Sequence, residues 1–136
     1  MVVGAGRGIG RNIAELFSEA RANVVISSRN EAELRELEYQ LNAKGNPEVL
    51  ALAADAEIPS DVESLVKQSV ERFGRIDYLI HTAGMGILKP FAELKAEDLQ
   101  ALLNANLMTA FNVFRSALPV MQEQKFGRII AFFPEF

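Results

Sequence analysis

The sequence predicts an α/β fold, a doubly wound parallel sheet of about five strands with helices on both faces. Three observations carry that prediction. Short apolar runs alternate along the chain with amphipathic stretches of helical period. The apolar runs are nearly continuous rather than alternating, which suits strands covered on both faces by crossover helices. Four of the nine glycines, Gly4, Gly6, Gly8 and Gly10, fall within seven residues directly after the first apolar run.

The elements follow in order. Met1-Val2-Val3 is a short strand running into the glycine cluster, and Ile9, Ile13, Leu16, Phe17 and Ala20 then keep helical spacing. Val24-Val25-Ile26 is a second strand, ended by Ser27-Ser28-Arg29. Asn30, with Glu33 three residues on, has the form of a helix N-cap; Leu34, Leu37 and Leu41 supply that helix's inner face, and Gly45 stops it. Residues 49–54 make a third strand, ending at Asp55. Ser60-Asp61-Val62-Glu63 has the form of a capping box after Pro59, opening a helix with Val62, Leu65, Val66, Val70 and Phe73 along one stripe and Gly74 at its end. Tyr78-Leu79-Ile80 is a fourth strand, broken by Ala83-Gly84-Met85-Gly86. A long helix over 97–124 sets Leu99, Leu102, Leu103, Asn106, Leu107, Ala110, Phe111 and Phe114 on one side, with a bend expected at Pro119. Residues 128–133 form a fifth strand.

Composition narrows the function. The 136 residues suit one domain, and 49% hydrophobic with 24% charged residues is a globular composition. Fourteen Lys and Arg against 18 Asp and Glu give a net charge of −4 and a pI near 5.1, the wrong balance for a nucleic-acid partner. No apolar run approaches the roughly 20 residues a membrane-spanning helix needs, and the start lacks a basic segment followed by an apolar one. No membrane partner and a cytoplasmic location are therefore expected. With no Cys and one His, no metal site is expected either.

A strand, a glycine-rich turn and a helix form an anion site, because backbone N–H groups and the positive helix end face one point and absent Cβ atoms let a phosphate approach. The spacing selects the nucleotide. No Gly is followed by Lys, so a P-loop is excluded, and G-x-G-x-x-G fails from both Gly4 and Gly6. The pattern that fits is G-x-x-x-G-x-G on Gly4, Gly8 and Gly10, a dinucleotide cradle of Rossmann-like type, with a merely tight turn as the competing reading. A carboxylate at the end of the second strand would bind the adenosine ribose and repel a 2′-phosphate; Ser28 and Arg29 stand there instead, and Arg7 adds a second charge. This favours NADP over NAD. It also counts against a methyltransferase, which wants an acid at that place.

From these residues the chain resembles the short-chain dehydrogenase/reductase family along all 136 positions. Val3-Gly4-Ala5-Gly6-Arg7-Gly8-Ile9-Gly10 is similar to its T-G-x-x-x-G-x-G loop, with Val3 for Thr. Asp55 stands where the family places an Asp near the adenine, followed by Ala56, and His81-Thr82-Ala83-Gly84 resembles the N-N-A-G segment with both Asn lost. Asn106 resembles the Asn of the catalytic tetrad, which holds a water for proton relay, and Gly127-Arg128-Ile129-Ile130 resembles the lead-in to the strand bearing the catalytic Ser. The resemblance implies a cofactor site of Gly4, Arg7, Gly8, Ile9, Gly10, Ser28, Arg29, Asp55, Ala56, Ala83 and Gly84, with Asn106 as the surviving catalytic residue. By itself Asn106 is also open to a plain reading as a satisfied core Asn. His81 is expected to be structural, near the cofactor, and Tyr39 to pack.

The family's chemistry needs Ser, Tyr and Lys beside Asn, with Tyr as general acid/base and Ser orienting the carbonyl. Neither Tyr39 nor Tyr78 has Lys four residues on, and the two serine positions hold Phe133 and Pro134. Arg21 stands where the family ends its first helix with Gly, which predicts an altered helix end. The last strand, with Ile129, Ile130, Phe132 and Phe133, is expected to leave an apolar edge open to association. The expectation is a single NAD(P)-binding domain over 1–136, C-terminally incomplete and inactive alone, of an NADP-dependent oxidoreductase that interconverts a small carbonyl and an alcohol. The alternative is a non-catalytic nucleotide-binding or oligomerisation module, with the 97–124 helix pairing two copies through Phe111 and Phe114.

Overall fold

A computed structural model describes residues 1–133. Its strands are β1 (Val2–Val3), β2 (Val24–Ser27), β3 (Val49–Ala51), β4 (Tyr78–His81) and β5 (Arg128–Ala131). Between them lie helices α1 (Gly8–Glu19), α2 (Glu31–Asn42), α3 (Pro59–Phe73), α4 (Ala96–Leu103) and α5 (Thr109–Gln124). The strands pair in parallel in the order β3-β2-β1-β4-β5. The chain thus winds outward from β1 in one direction, returns to β1's other side at β4, and winds outward again.

Each face of the sheet has its own core, as double winding requires. Alternate side chains of β1 and β2 (Val2, Val24, Ile26) meet Ala14 of α1 and Leu34, Leu37 and Leu41 of α2. Their neighbours Val3 and Val25 point the other way, onto Val62, Leu65 and Val66 of α3 and Val113, Ala117 and Met121 of α5. Burying one such Val or Leu stabilises by about 1.5–3 kcal/mol, so these two layers supply most of the driving force for the fold.

Several local expectations change. The third strand stops at Ala51 rather than residue 54. Even so, Leu52 N donates to the Ile26 carbonyl (3.0 Å) and Ala54 N to that of Ser28 (3.1 Å), so extended backbone still carries Asp55 to the carboxyl edge of the sheet. No Ser60 capping box forms. Helix α3 opens on Pro59, whose fixed φ suits the first helical position, with Ile58 as an N-cap that has no side-chain acceptor. The Asp61 carboxylate instead accepts from Asp55 N at 3.1 Å. Asn30 does cap α2, accepting from Ala32 N and Glu33 N. Arg21 does take the left-handed conformation (φ 69°), a strain on the order of 1 kcal/mol, with its guanidinium 3.4 Å from Asn46 Oδ1. Tyr39 does not pack; it is exposed.

The 97–124 helix departs most from expectation. Its α-helical pattern gives way to a π-type turn at Asn104–Met108, while Pro119 lies inside α5. The cause is local competition for carbonyls. Asn106 Nδ2 donates to Leu102 O (2.9 Å) and Thr109 Oγ1 to Ala105 O (2.8 Å), each four residues back, where the backbone N–H of a regular helix would bond. The expected apolar side also divides. Leu99, Leu103, Leu107 and Phe111 are 55, 42, 56 and 50% exposed, whereas the line facing the sheet is Ala110, Val113, Ala117 and Met121. Phe114 turns inward onto that core rather than outward with Phe111. In β5, Ile129, Ile130 and the following Phe132 and Phe133 are exposed, the apolar edge the sequence implies.

Candidate functional site

A ligand of an open α/β sheet sits beyond the carboxyl ends of the strands where the winding reverses. Here that point lies between β1 and β4, and a cleft of about 650 Å³ opens there. The glycine loop after β1 forms its floor. Gly4 has φ +90°, and a Cβ on it would lie 2.6 Å from both Ala83 N and Thr82 Oγ1. A Cβ on Gly10 would run into the Gly4 carbonyl and the same hydroxyl. Thr82 Oγ1 in turn bonds the carbonyls of Val3 (3.0 Å) and Gly4 (3.2 Å), clamping the end of β4 to the loop. Helix α1 begins above this floor with no side-chain cap and no acid in its first turn. Its first N–H groups and positive end are therefore left for an anion in the cleft.

Nearly all the predicted cofactor residues line this one cleft. Gly4, Arg7, Ile9 and Gly10 come from the loop and α1, Ser28 and Arg29 from the end of β2, Asp55 and Ala56 from after β3, and Ala83 and Gly84 from after β4. Gly8 is not in the lining; it is exposed, and its φ of +59° makes the turn into α1. Among the described residues neither Arg7 nor Arg29 is in an ion pair, so both guanidiniums are available in the cleft, Arg7 from the glycine loop and Arg29 from the β2 end. Asp55 is partly engaged, with Oδ1 accepting from Glu57 N at 3.0 Å. A loop with no room for a Cβ at Gly4, Gly6 or Gly10, an uncapped helix start and two unpaired guanidiniums fit a dinucleotide phosphate chain.

Asn106 does not line the cleft. Its amide brackets Met85, accepting from Met85 N (3.3 Å) and donating to Met85 O (2.8 Å), and so ties the 84–86 segment to the π-type turn. His81 is fully buried beneath that turn. Its Nε2 lies 3.0 Å from Thr109 Oγ1; because that hydroxyl already donates to Ala105 O, the ring must donate from Nε2, leaving Nδ1 as an unpartnered acceptor. Burial pushes the His81 pKa below its ordinary value, so the ring is neutral, the structural part expected of it. Phe133, at one serine position, lines the cleft wall with Phe132; Pro134 lies outside the described residues.

Sequence reasoning missed Thr82, Thr109 and Glu33 in the lining. Glu33 matters most. A Cβ on Gly6 would lie 2.6 Å from Glu33 Oε2 and 3.0 Å from Ser28 Oγ, so a carboxylate does reach the β2 end, from the first turn of α2. The signal was available as an acid 23 residues past Gly10, but only the direction of α2 turns that spacing into proximity.

Comparison with known proteins places these features in context. The sequence profile described as short chain dehydrogenase matches residues 1–132. A 2,3-dihydroxy-2,3-dihydro-p-cumate dehydrogenase of Pseudomonas putida is 36% identical over 130 residues, covering 96% of this chain and 50% of that protein. A crystal structure of a 3-ketoacyl-ACP reductase from Sinorhizobium meliloti superposes with a TM-score of 0.90 at 26% identity, over 96% of this chain and 51% of the other. A metagenomic short-chain oxidoreductase in complex with NADP does so with a TM-score of 0.88 at 31% identity, over 96% of this chain and 59% of the other. The chain thus spans about half the length of the curated relatives it matches.

Proposed function

The chain belongs to the short-chain dehydrogenase family, and we propose that it is the NADP-binding half of an oxidoreductase that interconverts a small carbonyl and an alcohol. The observation that carries this reading is the cleft lining, where Ser28 and Arg29 stand at the end of β2 and Arg7 on the glycine loop, neither guanidinium in an ion pair among the described residues. A 2′-phosphate accepts charge-assisted hydrogen bonds from such groups. The bound cofactor supplies the hydride chemistry. The chain's own residues hold it: the glycine loop and the start of α1 take the pyrophosphate, Asp55 and Ala56 flank the adenine, and Ala83 and Gly84 line the path toward the nicotinamide. Asn106 keeps its tetrad assignment as a proposal, acting by holding the 84–86 segment in place.

We read residues 1–136 as a single cofactor-binding domain without the family's catalytic Ser, Tyr and Lys, since no Tyr in the sequence has Lys four residues on. The sequence in hand then binds NADPH and turns over no carbonyl. A cytoplasmic location belongs to the same reading. Calorimetric titration with NADPH and NADH tests it. NADPH should bind more tightly, and Arg29→Ala should cost NADPH roughly tenfold, about 1.4 kcal/mol, and NADH little. Tighter binding of NADH, or turnover of a carbonyl by this chain, would overturn it.

A second reading has its own support. The exposed line Leu99, Leu103, Leu107 and Phe111 repeats every four residues along α4, the π-type turn and α5, a stripe suited to a second copy. A nucleotide-binding or oligomerisation module without chemistry would use it. Analytical ultracentrifugation of wild type and Leu107→Glu/Phe111→Glu should show a dimer reverting to monomer; a wild type that stays monomeric at all concentrations dismisses this reading.

A further inference from the structure

The β2 end of the cleft holds a carboxylate among its cations. Glu33 is half-buried in the first turn of α2, where Asn30 Oδ1 accepts from its backbone N–H at 3.3 Å and fixes the turn. Its Oε2 reaches to 2.6 Å from the place a Cβ on Gly6 would take, and Ser28 Oγ to 3.0 Å from the same point. Among the described residues no cation pairs with Glu33. Its carboxylate, held at the positive end of α2 and outside any ion pair, thus stands beside the position proposed for a cofactor's adenosine ribose.

We infer that Glu33 is a specificity-determining residue: its carboxylate accepts a hydrogen bond from an unmodified ribose 2′-hydroxyl and opposes a 2′-phosphate, so the cleft prefers NADPH by less than its two arginines alone would give. The inference rests on the nucleotide reading above and refines it. Arg7 and Arg29 attract a 2′-phosphate, while Glu33 repels the same group and offers the hydroxyl what the end of β2 withholds. A carboxylate is a pure acceptor, so it rewards the hydroxyl and penalises the phosphate by one contact. Two opposite charges and one like charge around a single phosphate leave a modest net preference, where two cations alone would leave a large one.

Two variants separate the charge from the hydrogen bond. Glu33→Gln removes the charge and keeps an acceptor; Glu33→Ala removes both. NADPH and NADH are titrated into wild type and each variant by calorimetry, with circular dichroism as the check on folding. Both variants should bind NADPH roughly fivefold more tightly, the scale of one partly screened like-charge contact. NADH should weaken roughly threefold in Glu33→Ala and hold in Glu33→Gln, the scale of one lost ribose hydrogen bond. If NADPH and NADH shift together, or neither shifts, in folded variants, Glu33 does not set specificity although the cofactor reading stands. If no variant and no wild-type protein binds either nucleotide, the cofactor reading falls and the inference falls with it.

Discussion

Replacing Gly4 by Ala tests the cradle at its tightest point. Gly4 sits at φ +90°, where an L side chain costs about 1–2 kcal/mol of backbone strain. The added methyl would meet Ala83 N and Thr82 Oγ1 at 2.6 Å and the Thr82 carbonyl carbon at 2.8 Å, two of them backbone atoms that cannot rotate away. Forcing one methyl into such a site typically costs a further 1–3 kcal/mol. The sum, about 2–5 kcal/mol, is a large share of the roughly 5–15 kcal/mol that holds a domain together. Gly8 is the internal control, with a positive φ of 59° but nothing within 4 Å of its added Cβ. Gly8→Ala should cost only the strain, about 1 kcal/mol. Equilibrium urea unfolding reads both. With a slope of roughly 1–3 kcal/mol per M, Gly4→Ala should lower the midpoint by about 1 M or more and Gly8→Ala by well under that. Equal midpoints for the two variants would refute the claim that the loop is clamped against the end of β4.

Other consequences are equally concrete. Burial lowers the His81 pKa, so below about pH 6.5 the unfolded chain takes up a proton that the folded chain refuses. The contribution of His81 to stability is thus complete above that pH and lost as pH falls; urea midpoints at pH 7.5 and 5.5 should fall further apart in wild type than in His81→Gln, and equal spacing would refute this. Asn106→Ala removes both bonds to Met85 and the bond to Leu102 O, which should cost about 1–3 kcal/mol and speed amide exchange at residues 84–86 before it does so in β2. Unchanged exchange there would separate Asn106 from the cleft.

The parallel, doubly covered strands and the glycine cradle were legible because each follows from local chemistry. Val2-Val3, Val24-Val25-Ile26 and Leu79-Ile80 are continuous apolar runs that only a doubly covered strand satisfies, and the G-x-x-x-G-x-G spacing holds its own geometry. Asn30 and Gly74 end their helices through bonds and dihedrals within a few residues, so their roles also read directly. Stripes were less legible. Leu99, Leu103, Leu107 and Phe111 look like a core face from spacing alone, and only the position of α5 against the sheet turns Val113 and Ala117 inward instead.

Two features depend on the tertiary structure. The irregular turn at Asn104–Met108 arises because Asn106 and Thr109 take carbonyls four residues back while also bonding Met85 and His81, partners about 20 to 30 residues away. The absence of an acid in Ser27-Ser28-Arg29 said that the β2 end would be positive, yet Glu33 reaches that end from the next helix. Sequence alone determined the fold class and the glycine loop, because backbone conformation and hydrophobic period are local properties. The charge at the β2 end of the cleft was decided only by folding, because electrostatics depends on distance in space, and the path of the chain from β2 into α2 sets that distance.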